Sequence, residues 1–280
     1  MQPSLMLRRV PSPFPQSSND SWGTTLVATF AEFVGTVLYL LFAFAGSQVA
    51  RVTVPAEPKD GPPDLLVLFY VALSFGVALT VNVWVFYRVT GGMFNPVVAL
   101  ALALTGAITP LRAVLVSIAQ VVGGIVAAAL VSTLFPGPLV VSTRLGGGTS
   151  IVRGLFLEMF FTAQLIITII MLAVVKHRAT FLAPIGIGLS FFLAELIGIY
   201  YTGGSLNPAR SFGPDVVNGS FPGYHWIYWV GPILGACLAA AFYHGLVFLR
   251  YQNVDPGQDS DGMEVDLITS ETRERDNLRV

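Results

Sequence analysis

Thr90-Gly91-Gly92-Met93-Phe94-Asn95-Pro96-Val97 and Thr202-Gly203-Gly204-Ser205-Leu206-Asn207-Pro208-Ala209-Arg210 are one word written twice, 112 residues apart. Asn is a favoured N-cap, and Pro is favoured at the first helical position, where its missing N–H costs nothing. Each word therefore predicts the start of a helix. The apolar segments that follow, 96–104 and 208–217, are too short to cross a bilayer, which takes about 20 residues. The echo continues upstream, in Ala31-Glu32-Phe33-Val34-Gly35-Thr36 against Leu157-Glu158-Met159-Phe160-Phe161-Thr162. Glu32 precedes Asn95 by 63 residues and Glu158 precedes Asn207 by 49; the difference of 14 is about the length of the Pro-rich stretch 51–64. The chain is an internal repeat, approximately 24–135 and 151–249, with a loop inserted in its first half.

Composition places the repeat in a membrane. Of 280 residues, 54% are hydrophobic and 11% charged, against about 25% charged in soluble chains. Eight of the 16 acids crowd between Asp255 and Asp276, and that polar tail reads as disordered. Six runs are long and apolar enough to span: about 25–49, 65–87, 112–135, 151–175, 181–202 and 225–249. The first is too long for the apolar core of a cleavable signal and reads as a spanning helix. A net charge of -1 without a basic cluster argues against nucleic acid as a partner. Cys237, the only cysteine, excludes an intramolecular disulfide framework and a multi-thiolate metal site.

Six spans put both termini on one side. Lys and Arg near the membrane mark the cytoplasm. With the N-terminus inside, Arg8, Arg9, Arg88, Arg112, Lys176, Arg178 and Arg250 are cytoplasmic, against Arg51, Lys59, Arg144, Arg153 and Arg210 outside. The bias favours cytoplasmic termini. Each half holds three spans, so the second runs upside down relative to the first. Inverted repeats with short Gly/Pro-interrupted segments at matching places point to a site at mid-membrane.

The chemistry of that site follows from the caps. Irregular backbone at membrane depth is tolerated only inside protein or along an aqueous cavity. If each Asn oxygen caps its own helix, its NH2 is left as a donor toward the lumen. Two helix N-termini, each carrying roughly half a positive charge, then face one point and repel cations, hydronium included. The design suits neutral molecules and supplies no nucleophile, base or metal cluster. No enzyme activity and no cofactor is expected.

These residues resemble the aquaporin family of major intrinsic proteins over 24–249. The words Asn207-Pro208-Ala209-Arg210-Ser211-Phe212-Gly213-Pro214 and Asn95-Pro96-Val97 carry the resemblance; Val97 stands where the family has Ala, extra bulk that bears on the half-helix contact or the lumen. The resemblance implies an all-α membrane protein of six transmembrane helices and two re-entrant half-helices, a homotetramer with one pore per protomer. It divides the chain into a cytoplasmic N-terminal arm (1–23), the channel (24–249) and an acidic cytoplasmic tail (250–280). By the same carry-over, Phe75, Glu195, Gly204 and Arg210 form the selectivity filter. Glu32 and Glu158 match buried glutamates that hold the re-entrant loops. The implied activity is passive water transport with cations and protons excluded, in the plasma membrane rather than an internal one. Two readings stand beside it: a broader channel for glycerol, urea, ammonia or hydrogen peroxide, and a closed or gated membrane scaffold.

Several residues set the choice among these readings. Arg210 excludes cations from a dry constriction. Glu195 needs a partner inside a span: it pairs with Arg210 across the pore, is protonated by desolvation so that its OH donates and the pore becomes pH-sensitive, or turns aside to backbone. Gly204 removes bulk and is expected to widen the filter. Ser211 and Tyr228-Trp229 lean toward water. Gly231-Pro232-Ile233-Leu234-Gly235 reads as a close helix contact. Asn218-Gly219-Ser220 is an outward glycosylation sequon, His177 a candidate cytoplasmic pH sensor, and the Pro-rich arm a candidate gate.

Overall fold

A computed structural model describes residues 21–53, 64–175 and 179–254. The N-terminal arm up to residue 20, the inserted loop 54–63, His177 and the acidic tail from residue 255 lie outside the described residues. Among the described residues there are helices and no strands. Six apolar helices are long enough to cross a membrane. They are α1 (Trp22–Val52), α2 (Leu65–Phe86), α4 (Pro110–Leu134), α5 (Ile151–Ile169), α6 (Ala183–Tyr201) and α8 (Ile227–Phe248). Two short helices, α3 (Pro96–Leu104) and α7 (Pro208–Asn218), lie between them in sequence.

Local chemistry sets the boundaries. Ser21, Asp64, Asn95, Thr109, Ser150 and Asn207 each accept a backbone N–H with the side chain at the start of a helix, satisfying a donor that the first turn leaves orphaned. Pro opens α3, α4 and α7. α5 continues through a π-helical turn, Ile170–Val174, and α6 is entered through a 3-10 turn, Thr180–Leu182. Gly219, at φ 59°, ends α7 in the left-handed conformation that L side chains adopt only with strain.

The repeat is visible in the packing. α1 packs on α2 and α4, α2 on α6, α5 on α6, and the half-helix α7 on α4. Between α4 and α7 the backbones touch: a Cβ at Gly124 would strike the carbonyl of Ala209, and one at Gly213 the carbonyl of Gly124. The Gly231/Gly235 pair brings α8 against α5 in the same way, with Cβ positions 2.9 Å from the Leu155 carbonyl oxygen and against that of Met159. Small residues let membrane helices approach where lipid offers no hydrophobic drive. The described residues up to Ala241 form one compact unit and those from Phe242 a second.

Candidate functional site

Two loops, built alike, bring the repeated words together. In the first, Thr90 Oγ1 accepts from Gly92 N at 3.1 Å, Gly91 and Gly92 have positive φ, and Phe94 is left-handed at φ 49°. In the second, Thr202 Oγ1 accepts from Gly204 N at 3.3 Å, Gly203 and Gly204 have positive φ, and Leu206 sits at φ 52°. Left-handed Phe and Leu are costly, and a buried glutamate holds each. Glu32 Oε1 and Oε2 accept from Met93 N (3.1 Å) and Phe94 N (2.8 Å); Glu158 Oε1 and Oε2 accept from Ser205 N (3.1 Å) and Leu206 N (2.8 Å).

The asparagines then do two things at once. Asn95 Oδ1 accepts from Val97 N at 3.1 Å and Asn207 Oδ1 from Ala209 N at 2.9 Å, so both are caps. Each also donates to the other loop: Asn95 Nδ2 to the Leu206 carbonyl at 2.8 Å, and Asn207 Nδ2 to the Phe94 carbonyl at 2.9 Å. This corrects the expectation that each NH2 is wholly free for the lumen: one of its two N–H bonds ties the half-helices together, leaving one. Val97 is buried without disturbing this symmetry. Asn95 and Asn207 border a cavity of about 10 Å³, roughly the room for one water. A cavity of about 820 Å³ lies beside Arg51, Arg144 and Gly203, and one of about 260 Å³ beside Tyr87, Thr90 and Met93.

The four expected filter residues also come together. Arg210 is 2% exposed. It donates Nε–H to the Gly204 carbonyl (2.8 Å), Nη1 to that of Val141 (2.7 Å) and Nη2 to that of Gly203 (3.2 Å). Three of its five N–H bonds are spent, and two remain. The guanidinium carbon stands 4.7 Å from the Phe75 ring centroid and 5.6 Å from that of Phe44. Glu195 is fully buried, yet among the described residues both carboxylate oxygens lack a hydrogen-bond partner and no ion pair joins it to Arg210. Neither the pairing with Arg210 nor the turn to backbone occurs. The guanidinium is already held by backbone carbonyls, and the carboxylate instead fills the space beside Gly204, where a Cβ would strike Oε2. The widening expected from Gly204 is therefore offset by Glu195.

Residues 20–243 match the profile of the family described as Major intrinsic protein. The chain belongs to the major intrinsic protein family. It is 59% identical over 237 residues to aquaporin-7 of Botryotinia fuckeliana (strain B05.10), covering 84% of this chain and 52% of that one. To aquaporin-1 of Gibberella zeae (strain ATCC MYA-4620 / CBS 123657 / FGSC 9075 / NRRL 31084 / PH-1) it is 50% identical over 259 residues, covering 92% and 79%. The chain spans about half the length of several such relatives. Among solved structures, an aquaglyceroporin from Plasmodium falciparum shares the fold, with a TM-score of 0.66 at 19% identity over 80% of this chain and 97% of that one.

Sequence reasoning missed how this major intrinsic protein builds the segment over Arg210. Gln48 of α1 donates Nε2 to the Pro138 carbonyl (2.8 Å) and accepts Val140 N on Oε1 (3.1 Å), fixing the strap that presents the Val141 carbonyl. A polar amide inside an apolar run was the available signal; a backbone carbonyl leaves none. Asn218 Nδ2 binds the same strap, at the Leu139 carbonyl (3.1 Å) and Ser142 Oγ (3.3 Å), so the nitrogen of the sequon is engaged. Beside it, buried Asp215 takes Arg144 Nη1 on one oxygen (2.7 Å) and His225 Nδ1 on the other (2.8 Å). Trp229 Nε1 donates to His225 Nε2 at 3.2 Å, which places the imidazole proton on Nδ1. Burial works to raise the Asp215 carboxyl, but the bonds from His225 and Arg144 outweigh it and hold it below the usual aspartate range.

Proposed function

We propose that this protein is a passive water channel that excludes protons and cations, working as a homotetramer in the plasma membrane with both termini cytoplasmic. The observation that carries the reading is the one-water cavity bordered by both asparagines. The two capped half-helices turn their positive ends toward it, so water is stabilised there by the remaining amide N–H bonds while a cation is repelled by both ends. Arg210 adds a fixed charge at the expected filter, and Glu195 takes up the width that Gly204 releases. The charge excludes cations, and the lost width supports water over glycerol. Asn95, Pro96, Val97, Asn207, Pro208 and Ala209 are the pore words in this reading, with Phe75, Glu195, Gly204 and Arg210 the filter, and Glu32 and Glu158 the loop supports.

A second reading, a wider small-neutral-solute channel, rests on Glu195: two unpartnered acceptors inside the constriction suit a solute that brings O–H or N–H donors. Osmotic shrinkage of proteoliposomes under an impermeant osmolyte, beside re-swelling in glycerol and urea, separates the two. Fast shrinkage without re-swelling is expected. Re-swelling faster than protein-free vesicles moves the assignment to the wider channel, and vesicles no faster than control in either assay would sink both.

A further inference from the structure

We propose that the Tyr39 hydroxyl is a third hydrogen-bonding group of the mid-membrane station, supplying the acceptor that the two asparagines lack; this rests on the channel reading above. Tyr39 lies on α1 two turns after Glu32, on the same face, and is 1% exposed. Three rings clamp it. It stacks on Phe94 (centroids 6.3 Å apart, planes at 28°) and meets Phe75 and Phe191 edge-on at 6.5 and 6.3 Å. Phe94 precedes the capping Asn95, and Phe75 carries Arg210 over its face. Tyr39 is therefore held between the expected filter and the asparagines, and it borders the same 10 Å³ cavity as Asn95 and Asn207.

Its hydroxyl has no hydrogen-bond partner among the described residues. A buried tyrosine O–H ordinarily finds one, because leaving it unpaired costs its desolvation. Here the cavity beside the ring is the place for the partner, and a permeating water is the molecule that fits. The chemistry is complementary. Toward that cavity each asparagine has one N–H left to give, so a water accepting both keeps its own two hydrogens without an acceptor. The phenol oxygen accepts one of them and can pass its own hydrogen onward. Glu195, one turn after Phe191 on α6, offers two further acceptors without a partner among the described residues. Donors from the half-helices thus face an acceptor from α1 across the cavity, and water can exchange partners without standing unbonded.

Tyr39→Phe removes the hydroxyl and keeps the clamped ring. In proteoliposomes of the full chain, with protein per vesicle quantified, the variant is expected to lose about threefold to tenfold in osmotic water permeability, the scale of one hydrogen bond. The temperature dependence of shrinkage should steepen, while the thermal unfolding midpoint in detergent stays at the wild-type value. A variant as fast as wild type would make Tyr39 a packing residue and overturn the proposal. A faster variant would also overturn it, by making the hydroxyl an obstacle. Wild-type vesicles no faster than empty ones would remove the channel reading, and the proposal with it; a fast wild type with an unaffected variant removes the proposal alone.

Discussion

The carboxylate of Glu195 stands where residue 204 would carry a side chain: a Cβ on Gly204 would strike Oε2 and come within 2.8 Å of Oε1. Gly204 is also left-handed, at φ 61°, and its carbonyl receives Arg210 Nε. Glycine is thus required there for conformation and for space. Gly204→Ala is expected to destabilise by about 2–4 kcal/mol, combining overpacking with left-handed strain. Adding Glu195→Ala should recover the steric share only, leaving about 1–2 kcal/mol of backbone strain. Glu195→Ala alone empties the space and should raise glycerol re-swelling. Thermal unfolding of the three variants checks the first two statements; a double variant no more stable than Gly204→Ala would break the link.

The two loop glutamates make a matched pair with one difference. Each accepts two backbone N–H groups, and Glu32 Oε2 also accepts Gln120 Nε2 at 2.8 Å; among the described residues no side-chain amide does the same at Glu158. An orphaned buried donor costs about 1–3 kcal/mol. Replacing either glutamate with Ala should therefore prevent stable folding or lower the unfolding midpoint sharply, and Glu32→Ala should be the worse of the two because it orphans a third donor. Equal midpoints for the two variants would contradict the assignment.

What could be read in the sequence had local physical causes. Asn95-Pro96 and Asn207-Pro208 encode helix starts within a few residues, so the half-helices were legible, as were the six apolar spans. The glutamates entered through family likeness, and the structure gives them partners. What escaped depends on distant backbone. The mutual tie of Asn95 to the Leu206 carbonyl and of Asn207 to that of Phe94 joins residues more than a hundred apart. Glu195 misled for a related reason: charge alone favoured Arg210 as its partner, but three carbonyls with no sequence signature hold that guanidinium first.

Asp215 gives the segment beside Arg144 and His225 a definite pH response. Its carboxyl is held below the usual aspartate range, so the folded chain binds its proton more weakly than the unfolded one. The stabilisation is then fully present above the unfolded value, about 3.9, and is lost as the pH falls through the lower folded one. Asp215→Asn should cost about 1.5–3 kcal/mol at pH 7, the scale of charge-assisted hydrogen bonds, and the gap to wild type should close toward pH 3. Unfolding in detergent across pH 3–7 measures it; a gap independent of pH would assign the loss to packing.

Gln48 offers a test of how the strap over Arg210 is held. Its amide both donates to the Pro138 carbonyl and accepts from Val140 N, a combination that neither Glu nor Leu reproduces. Gln48→Glu keeps the acceptor and loses the donor; Gln48→Leu loses both. With each bond worth about 1 kcal/mol, backbone hydrogen exchange across 138–145 should quicken on the order of fivefold for Glu and thirtyfold for Leu. Exchange in α4 and α6 should stay unchanged. Because the strap presents the Val141 carbonyl to Arg210, water permeability should fall in the same order, Leu below Glu below wild type. Faster exchange with unaltered permeability would mean that Gly203 and Gly204 alone are enough to seat the guanidinium.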